Sequence, residues 1–249
     1  MTHSVPVLLR LAALALLVAF ITEPQWFEPV FKPLTENDAP AIYNQGSLLR
    51  LTLSHLGTVG IATVAATVLA VALAILVTRP FGAEFLALSR ALVNIGQTFP
   101  PVAVLALAVP VFGFGETPTL IALFLYGLLP IFENTLAGLT TLPASVVEAA
   151  KGVGMTASQR LLKVELPLAL PVILAGIRLS VVIGLATATI GSTVAAKTVG
   201  EVIIAGLLSN NLAFVLQGGL IVAVLAVLIY DAFTALGRFA ARRTGRLAA

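Results

Sequence analysis

The sequence predicts an all-α, polytopic membrane protein with six transmembrane helices. Its 249 residues are 59% hydrophobic and only 10% charged, and the mean hydropathy is +1.07. A soluble domain usually carries about 25% charged residues, so the composition excludes a cytosolic enzyme and a disordered chain. The long apolar runs also exclude an outer-membrane barrel, whose strands alternate apolar and polar side chains.

Six segments are apolar over about the 20 residues that a helix needs to cross the hydrocarbon core. The predicted spans are residues 5–22, 56–78, 91–112, 118–139, 169–193 and 212–236. Ser47 is placed to cap an outer extension of the second helix. Arg10, followed by a short apolar stretch, is also typical of a cleaved signal peptide. No A-x-A-like cleavage site follows Phe20, so a retained first span is the preferred interpretation.

The distribution of lysine and arginine predicts the orientation of these spans. With the amino terminus inside, ten of the 14 basic residues fall on the inner side and three on the outer side, while Arg178 lies within a span. We therefore expect both termini to be cytoplasmic. The basic tail, residues 237–249 with Arg238, Arg242, Arg243 and Arg246, is interpreted as an anchor at anionic membrane lipid and not as a nucleic-acid site.

Several chemistries lack the residues that they need. The chain has no cysteine and two histidines, His3 and His55, which are far apart in the sequence. Disulfides and thiolate metal sites are therefore excluded, and a histidine-rich metal site is not expected. No G-x-x-x-x-G-K-[ST] motif is present, so the chain carries no P-loop of its own. We expect no bound cofactor and no metal.

The predicted outer loop, residues 23–50, is acidic and aromatic. It holds Glu23, Glu28, Glu36 and Asp38 against Lys32, together with Trp26, Phe27, Phe31 and Tyr43. The aromatic residues are typical of anchoring at the membrane interface. Anchoring is the preferred interpretation, and a docking surface for an external partner is the alternative.

The predicted cytoplasmic loop, residues 140–168, contains signals for a first short helix. Pro143 suits the first turn of a helix, where its missing N–H costs nothing. Gly152 and Gly154 follow a helical stretch and are expected to end it. A second helix is expected to follow directly.

The second helix of this loop begins at a capping box. Thr156 and Gln159 have the spacing of that motif, and Pro167 is expected to end the helix. Two short helices joined by a glycine turn would project from the membrane. Such a projection could rest on lipid or fit a socket on a partner, and the physical argument alone does not separate the two.

This loop resembles the EAA motif of ABC-importer permeases, E-A-A-x3-G-x9-I-x-L-P. The matching residues are Glu148, Ala149, Ala150, Gly154, Leu166 and Pro167, with Val164 where isoleucine is usual. Residues from about 47 to 236 look like a permease of the type I importer fold. The likeness is greatest to permeases for osmoprotectants such as glycine betaine and choline. It is carried by the segments 97–100, 120–130, 134–135 and 226–231, while Glu133 departs from the family pattern.

The resemblance implies an organisation and a set of partners. Residues 1–46 would form the first span and an external loop, 47–236 the permease core and 237–249 the tail. Two permease subunits, identical or paralogous, would pair in the bacterial inner membrane. Two cytoplasmic ATPase subunits would receive the EAA loops in clefts, and an external binding protein would deliver the solute. Glu148 would face a basic residue of the ATPase, Gly154 would permit the turn, and the permease itself would not be an enzyme.

Besides Arg10 in the first span, three charged residues lie within predicted spans, where such groups are rare and usually functional. Glu133, Arg178 and Asp231 all fall in the inner halves of their spans. We expect Arg178 to pair with Glu133 or Asp231. The pair could be structural, or it could be a gate that forms in only one access state.

The third span contains a proline pair that should kink or break it. Pro100 and Pro101 remove two backbone donors and clash with the preceding turn. Freed carbonyls at membrane depth must face protein or a water-filled cavity. Asn94, Gln97 and Thr98 lie within two turns of this break, and we expect the region to line the transport pathway. Packing within the helix bundle is the alternative.

Small residues mark expected close contacts between helices. Ala62, Ala66, Ala70 and Ala74 form an i, i+4 stripe on the second span and predict packing. The fifth span carries small and hydroxyl side chains, for which packing and a translocation surface are equally open; they are Gly184, Thr187, Ala188, Thr189, Gly191, Ser192 and Thr193.

Two alternative functions remain. The same machinery could carry another solute, such as an amino acid or a sulfonate. A secondary transporter driven by an ion gradient would favour internal repeats with broken helices in both halves. The sequence has one proline break and no convincing repeat, so an ATP-driven importer is preferred.

Overall fold

The computed structural model describes residues 4–243, with side chains from residue 8 onward. Every regular element in this part of the chain is a helix. The α-helices are α1 (Ser4–Thr22), α2 (Glu28–Phe31), α3 (Leu48–Val77), α4 (Leu86–Thr98), α5 (Pro101–Phe112), α6 (Glu116–Thr140), α7 (Ala144–Gly152), α8 (Ala157–Arg160), α9 (Leu166–Ala188), α10 (Gly200–Leu208) and α11 (Leu212–Arg243). A π-helix, Leu161–Glu165, joins α8 to α9. His3 and Arg246 lie outside the described residues.

The number of membrane spans agrees with the prediction. Three single helices, α3, α6 and α11, and the continuous run Ala157–Val194 are long and apolar enough to cross a membrane. Two bent pairs supply the remaining spans, Leu8–Thr22 with Pro24–Leu34 and Ala83–Thr98 with Pro101–Phe112. Counting each bent pair once gives six, and the all-α membrane fold is confirmed. Ser47 caps α3 as predicted, because its Oγ accepts from the Arg50 N–H at 3.3 Å.

The break predicted at the proline pair is present and sharp. The two helices that flank it meet at 94°. Phe99 and Pro100 are both extended, as expected for a residue that precedes proline. The Pro100 carbonyl accepts from the N–H of Ala103 at 2.9 Å and so begins α5. Pro101 occupies the first helical position, where its missing donor costs nothing.

The prediction that Pro167 ends the second loop helix is wrong. The chain runs from α8 through the π-helix into α9 without leaving helical geometry. In an α-helix the Pro167 ring would clash with the carbonyl of Lys163, four residues earlier. The wider π turn, with its i to i+5 bonding, comes immediately before that point and leaves room for the ring. Pro167 therefore lies within a continuous helix, directly after the π turn that accommodates its ring.

The chain forms two compact units. The first contains the residues up to Ile61, with Pro100–Leu123 and Gly184–Ile229, and the second contains Ala62–Phe99, Phe124–Ile183 and the residues from Tyr230 onward.

The first unit is built around α1 and the start of α11. Its core contains Phe20 of α1, Phe31 of α2 and Ile221 of α11. Residues 41–43 are hydrogen-bonded to α11 through Gln217, which is fully buried. The Gln217 amide donates to the Ala41 carbonyl at 2.7 Å and accepts from the Tyr43 N–H at 3.1 Å.

The aromatic residues of the predicted outer loop have different surroundings. The rings of Phe27 and Phe31 lie 5.1 and 5.5 Å from the ring of Phe20. Tyr43 is also buried, whereas the Trp26 side chain is 72% exposed. Of these four residues, Trp26 is thus the one available for anchoring at an interface or for docking.

The second unit is built around the alanine stripe of α3. Ala66, Ala70 and Ala74 are completely buried and pack with residues that include Val93 of α4 and Phe132 of α6. The absence of side-chain bulk on this face lets the neighbouring helices approach closely. The predicted packing role of the stripe is confirmed.

Candidate functional site

The loop predicted to couple with a partner forms a knob, which we define as residues 144–160. Its first helix, α7, begins at Ala144, directly after Pro143, whose carbonyl accepts from the N–H of Val146 at 3.1 Å. Its second helix, α8, begins at the predicted capping box. The Gln159 N–H donates to Thr156 Oγ1 at 3.3 Å, and Gln159 Oε1 accepts from the Thr156 N–H at 3.0 Å. Both starts follow from local sequence.

The turn between the two helices depends on Gly154. This residue has φ of +81°, in the left-handed region that side chains with a Cβ disfavour. Its N–H donates to Lys151 O at 2.9 Å, and the next N–H, of Met155, donates to Ala150 O at 3.1 Å. This pair of bonds is the Schellman motif that closes a helix. Gly152, which was also expected to end the helix, is instead its last helical residue.

The EAA residues divide between the surface and the interior of the second unit. Glu148 and Ala149 are exposed, whereas Ala150 is buried. Leu166 and Pro167 are half-buried in the first turn of α9. Glu148 and Ala149 thus lie on the surface of the knob, Ala150 packs beneath them, and Leu166 and Pro167 belong to the membrane span that follows.

The knob surface combines one carboxylate with large apolar side chains. Val153, at the turn of the knob, is 75% exposed, and Leu162, which lies two residues beyond the knob in the π-helix, is 64% exposed. Such a surface can enter an apolar cleft that offers a cation to Glu148. It has no nucleophile or general base arranged for catalysis, and no group of three or more potential metal ligands occurs among the described residues.

A buried ion cluster joins the knob to the ends of two spans, and sequence reasoning did not find it. Glu165, in the π-helix, is 5% exposed. Its Oε2 accepts from Arg79 Nη2 at 2.6 Å and its Oε1 from Arg160 Nε at 2.8 Å. Arg79 follows α3, and Arg160 is the last residue of α8. We call these three residues the Glu165 cluster.

Polar groups beside the proline break are satisfied by Tyr126 of α6. The Tyr126 hydroxyl donates to the Phe99 carbonyl, which the break leaves without a helical donor. The Gln97 amide in turn donates to the Tyr126 carbonyl at 3.1 Å. Asn94 is exposed, and Thr98 Oγ1 donates to the Ile95 carbonyl within its own helix. The freed carbonyl faces protein, and a role of this region in the pathway stays a prediction.

The intramembrane ion pair is not the one expected for Glu133. This carboxylate binds Arg90 of α4 in a bidentate manner, with Nε–Oε1 at 2.8 Å and Nη2–Oε2 at 3.1 Å. The pairing of Glu133 with Arg178 is therefore wrong in this structure. Arg90 was counted as an inner-loop residue, yet α4 begins at Leu86 and carries it toward α6.

Arg178 instead contacts α11. Its Nη1 donates to Thr234 Oγ1 at 2.7 Å, and its guanidinium lies 4.4 Å from the centre of the Tyr230 ring. This geometry is a cation–π contact. Asp231 is the next residue along α11, and its pairing with Arg178 stays a prediction.

Two of the small and hydroxyl residues predicted on the fifth span, Gly191 and Ser192, have a structural role. Ser192 Oγ lies 2.8 Å from Thr198 Oγ1, and buried Thr198 donates to the Ala188 carbonyl at 3.0 Å. A Cβ added at Gly191 would come within 2.5 Å of the Thr119 side chain. Gly191 and Ser192 therefore serve packing, whereas Thr193 is exposed and keeps both interpretations open.

Curated relatives of this chain are permeases. The osmoprotectant import permease protein OsmY of Salmonella typhimurium is 41% identical over 194 residues, covering 78% of this chain and 82% of that protein. The choline transport system permease protein OpuBB of Bacillus subtilis is 37% identical over 187 residues, covering 75% and 85%. The glycine betaine/carnitine/choline transport system permease protein OpuCB of Bacillus subtilis is 37% identical over 186 residues, also covering 75% and 85%.

The fold is also similar to that of solved transporters. An inward-facing structure of the MetNI methionine ABC transporter aligns with a TM-score of 0.69 at 21% identity, covering 78% of this chain and 95% of the matched chain. The structure of an amino acid ABC transporter aligns with a TM-score of 0.60 at 18% identity, covering 78% and 92%. These likenesses support the importer permease fold.

Residues 70–245 match the family described as the inner membrane component of binding-protein-dependent transport systems. Members are multi-pass inner membrane proteins that work with a separate ATPase and a substrate-binding protein, and they are not enzymes themselves. With this match, the curated relatives and the shared fold, the chain belongs to the family of transmembrane permease subunits of binding-protein-dependent ABC importers.

Proposed function

We propose that this permease imports an osmoprotectant with a quaternary ammonium group, such as glycine betaine, choline or carnitine. The observation that carries the proposal is the set of curated relatives, at 37–41% identity over at least 75% of this chain. One is named for osmoprotectant import, one for choline transport and one for glycine betaine, carnitine and choline transport. A quaternary ammonium has no N–H donor, so its recognition relies on aromatic faces. We assign that recognition mainly to the external binding protein, and the permease provides the path.

In this proposal the conformational change that ATP binding causes in the ATPase is transmitted to the permease through the knob. Exposed Glu148 and the apolar side chain of Val153 enter a cleft on the ATPase, where Glu148 meets a basic residue. Closure of the ATPase subunits moves the knob, and α9, which continues from it, moves with it. The pathway residues Asn94, Gln97, Thr98, Pro100, Glu133, Arg178 and Asp231 then alternate between inward and outward access.

The proposal includes a paired arrangement and an orientation. Two permease subunits form the pathway, as identical copies or with a paralogue. Both termini and the knob face the cytoplasm, which follows from the excess of lysine and arginine on that side. The tail beyond Leu236, with Arg238, Arg242 and Arg243, meets anionic lipid.

An importer for an amino acid is the second candidate, and a specific observation favours it. The fold aligns with the MetNI methionine transporter at a TM-score of 0.69. The identity there is 21%, against 41% for the permease named for osmoprotectant import and 37% for the one named for choline transport. The osmoprotectant assignment is therefore preferred.

Uptake by the reconstituted system tests the solute directly. The permease is incorporated into liposomes with the ATPase and the binding protein of the same transport system. Radiolabelled glycine betaine, choline, carnitine, methionine and taurine are then offered separately. We expect ATP-dependent uptake of at least one of the three quaternary amines, and uptake of only methionine or taurine would contradict the proposal.

A further inference from the structure

The Glu165 cluster occupies the junction between the knob and two membrane helices. Arg79 lies two residues beyond the end of α3, and Glu165 lies immediately before α9. Arg160 closes α8 of the knob. One carboxylate therefore accepts hydrogen bonds from two different parts of the second unit, at 2.6 and 2.8 Å.

The cluster is held from both sides. The side chains of Arg79 and Arg160 are only 15% and 18% exposed, and that of Glu165 is 7% exposed. Arg79 also donates to Thr78 Oγ1 at 3.2 Å, and Thr78 donates to the Ile75 carbonyl in the last turns of α3. The Arg79 guanidinium is therefore held near the end of α3 by Thr78 and contacts Glu165 from there.

The local backbone makes Glu165 available for this contact. The π-helix that contains it interrupts the α-helical repeat between α8 and α9. An extra residue in one turn rotates the side chains that follow it, and such π turns are common at functional sites. Moving an ion pair out of water costs free energy of desolvation, and this cost offsets much of the attraction between the charges. We therefore assign the Glu165 cluster a role in orienting the knob and not in stabilising the fold.

We propose that Glu165 is a positioning residue that fixes the knob to the inner ends of α3 and α9. Displacement of the knob then moves both helices together, whereas without the carboxylate the knob pivots and its movement is lost. The inference rests on the proposed function, in which an ATPase moves the knob. It adds the residue that carries the movement from the knob into the spans.

The test compares Glu165→Gln with Glu84→Gln, a matched change at an exposed residue in the turn Ala83–Phe85. Each variant is reconstituted with its ATPase and binding protein, and glycine betaine uptake is measured against ATP hydrolysed. We expect Glu165→Gln to lower the solute moved per ATP by about 10-fold, an effect of the size found for residues that couple distant sites. Glu84→Gln should keep the wild-type ratio.

A distance measurement reports the position of the knob independently of transport. The chain has no cysteine, so spin labels can be placed at Val153→Cys and Phe81→Cys, two exposed positions at the knob turn and beside Arg79. We expect one narrow distance distribution in the wild-type background and a clearly broader one with Glu165→Gln. If either the uptake ratio or the distribution is unchanged, the inference is overturned.

Two further results of this test also have a defined meaning. If Glu165→Gln does not fold, Arg160→Gln removes one of the two donors and is judged by the same two criteria. If the wild-type system shows no ATP hydrolysis stimulated by the binding protein, the proposed function fails. The distance distribution then still decides whether Glu165 positions the knob.

Discussion

At the scale of single residues, the geometry of the knob depends on the positive φ of Gly154. This glycine closes the Schellman motif that ends α7, and φ of +81° is strained for any residue with a Cβ. Gly152, two residues earlier, is helical, and a Cβ added there would meet no atom of a neighbouring element within 4 Å. The same holds for a Cβ added at Gly154. The two glycines therefore differ in backbone conformation and not in available space.

We expect Gly154→Ala to destabilise the knob by roughly 1–2 kcal/mol, the cost of placing a side chain in the left-handed region. Gly152→Ala should be neutral or stabilising by up to about 1 kcal/mol, because alanine is the better helix former. Hydrogen exchange of the amides in α7 measures both changes. Equal protection in the two variants would contradict this account of the turn.

A second prediction at this scale concerns the carboxyl of Glu201, in the first turn of α10. Burial raises the pKa of its carboxyl above the usual 4.5, and nearby Lys197 opposes the change. The pKa of Tyr43 is also raised, by burial and then by the negative charge of Glu201. The folded protein therefore favours the neutral carboxyl, so the stability that it contributes is present at low pH and is lost as the pH rises through the raised pKa.

We therefore expect Glu201→Gln to unfold at a higher temperature than the wild type at pH 7. The difference should shrink as the pH falls toward about 4.5, because the wild-type carboxyl then becomes neutral as well. Thermal unfolding in lipid nanodiscs between these two pH values measures it. The exposed Glu36→Gln should follow the wild type, and a stability difference for Glu201→Gln that grows toward low pH would be the wrong sign.

At the scale of elements, the break between α4 and α5 is maintained by a side chain of another helix. The prolines remove backbone donors, and the Tyr126 hydroxyl of α6 supplies one to the Phe99 carbonyl. A carbonyl without a donor is costly in hydrocarbon, since no water replaces the lost bond. The hydroxyl of Tyr126 therefore stabilises the bent conformation.

Tyr126→Phe is expected to lower stability by about 1–3 kcal/mol, the usual cost of leaving a polar group without its partner. Tyr230→Phe is the matched control, because it keeps the aromatic ring beneath Arg178 and should change stability by less than about 0.5 kcal/mol. Unfolding midpoints in lipid nanodiscs compare the two. A Tyr126→Phe protein as stable as Tyr230→Phe would contradict the assigned role.

Short sequence motifs predicted where helices begin, turn and break. The capping box of Thr156 and Gln159, the turn at Gly154 and the break at Pro100 all depend on neighbours within a few residues. The partner of Glu133 could not be predicted, because Arg90 is 43 residues away and depends on how α4 packs against α6. The Glu165 cluster was missed for the same reason, since Arg79 is 86 residues distant. The prediction that Pro167 ends a helix was wrong because a π turn accommodates its ring, and a π turn has no clear sequence signal.

At the scale of the whole molecule, the account requires that the knob and the acidic residues of the outer loop lie on opposite sides of the membrane. The charge distribution predicts this orientation, with the knob inside. A single cysteine at Val153 reports the knob, and one at exposed Asp38 reports the outer loop. In right-side-out vesicles, we expect a membrane-impermeant thiol reagent to label Asp38→Cys at once and Val153→Cys only after permeabilisation. The reverse pattern would invert the orientation.

The central claim is that the exposed carboxylate of the knob connects this permease to a separate ATPase. The most direct measurement is ATP hydrolysis, with and without the binding protein, by liposomes that contain Glu148→Arg or its control Glu84→Arg. Both residues are exposed, so both variants should fold. We expect Glu148→Arg to lose the stimulation while Glu84→Arg keeps it, and full stimulation of Glu148→Arg would contradict the claim.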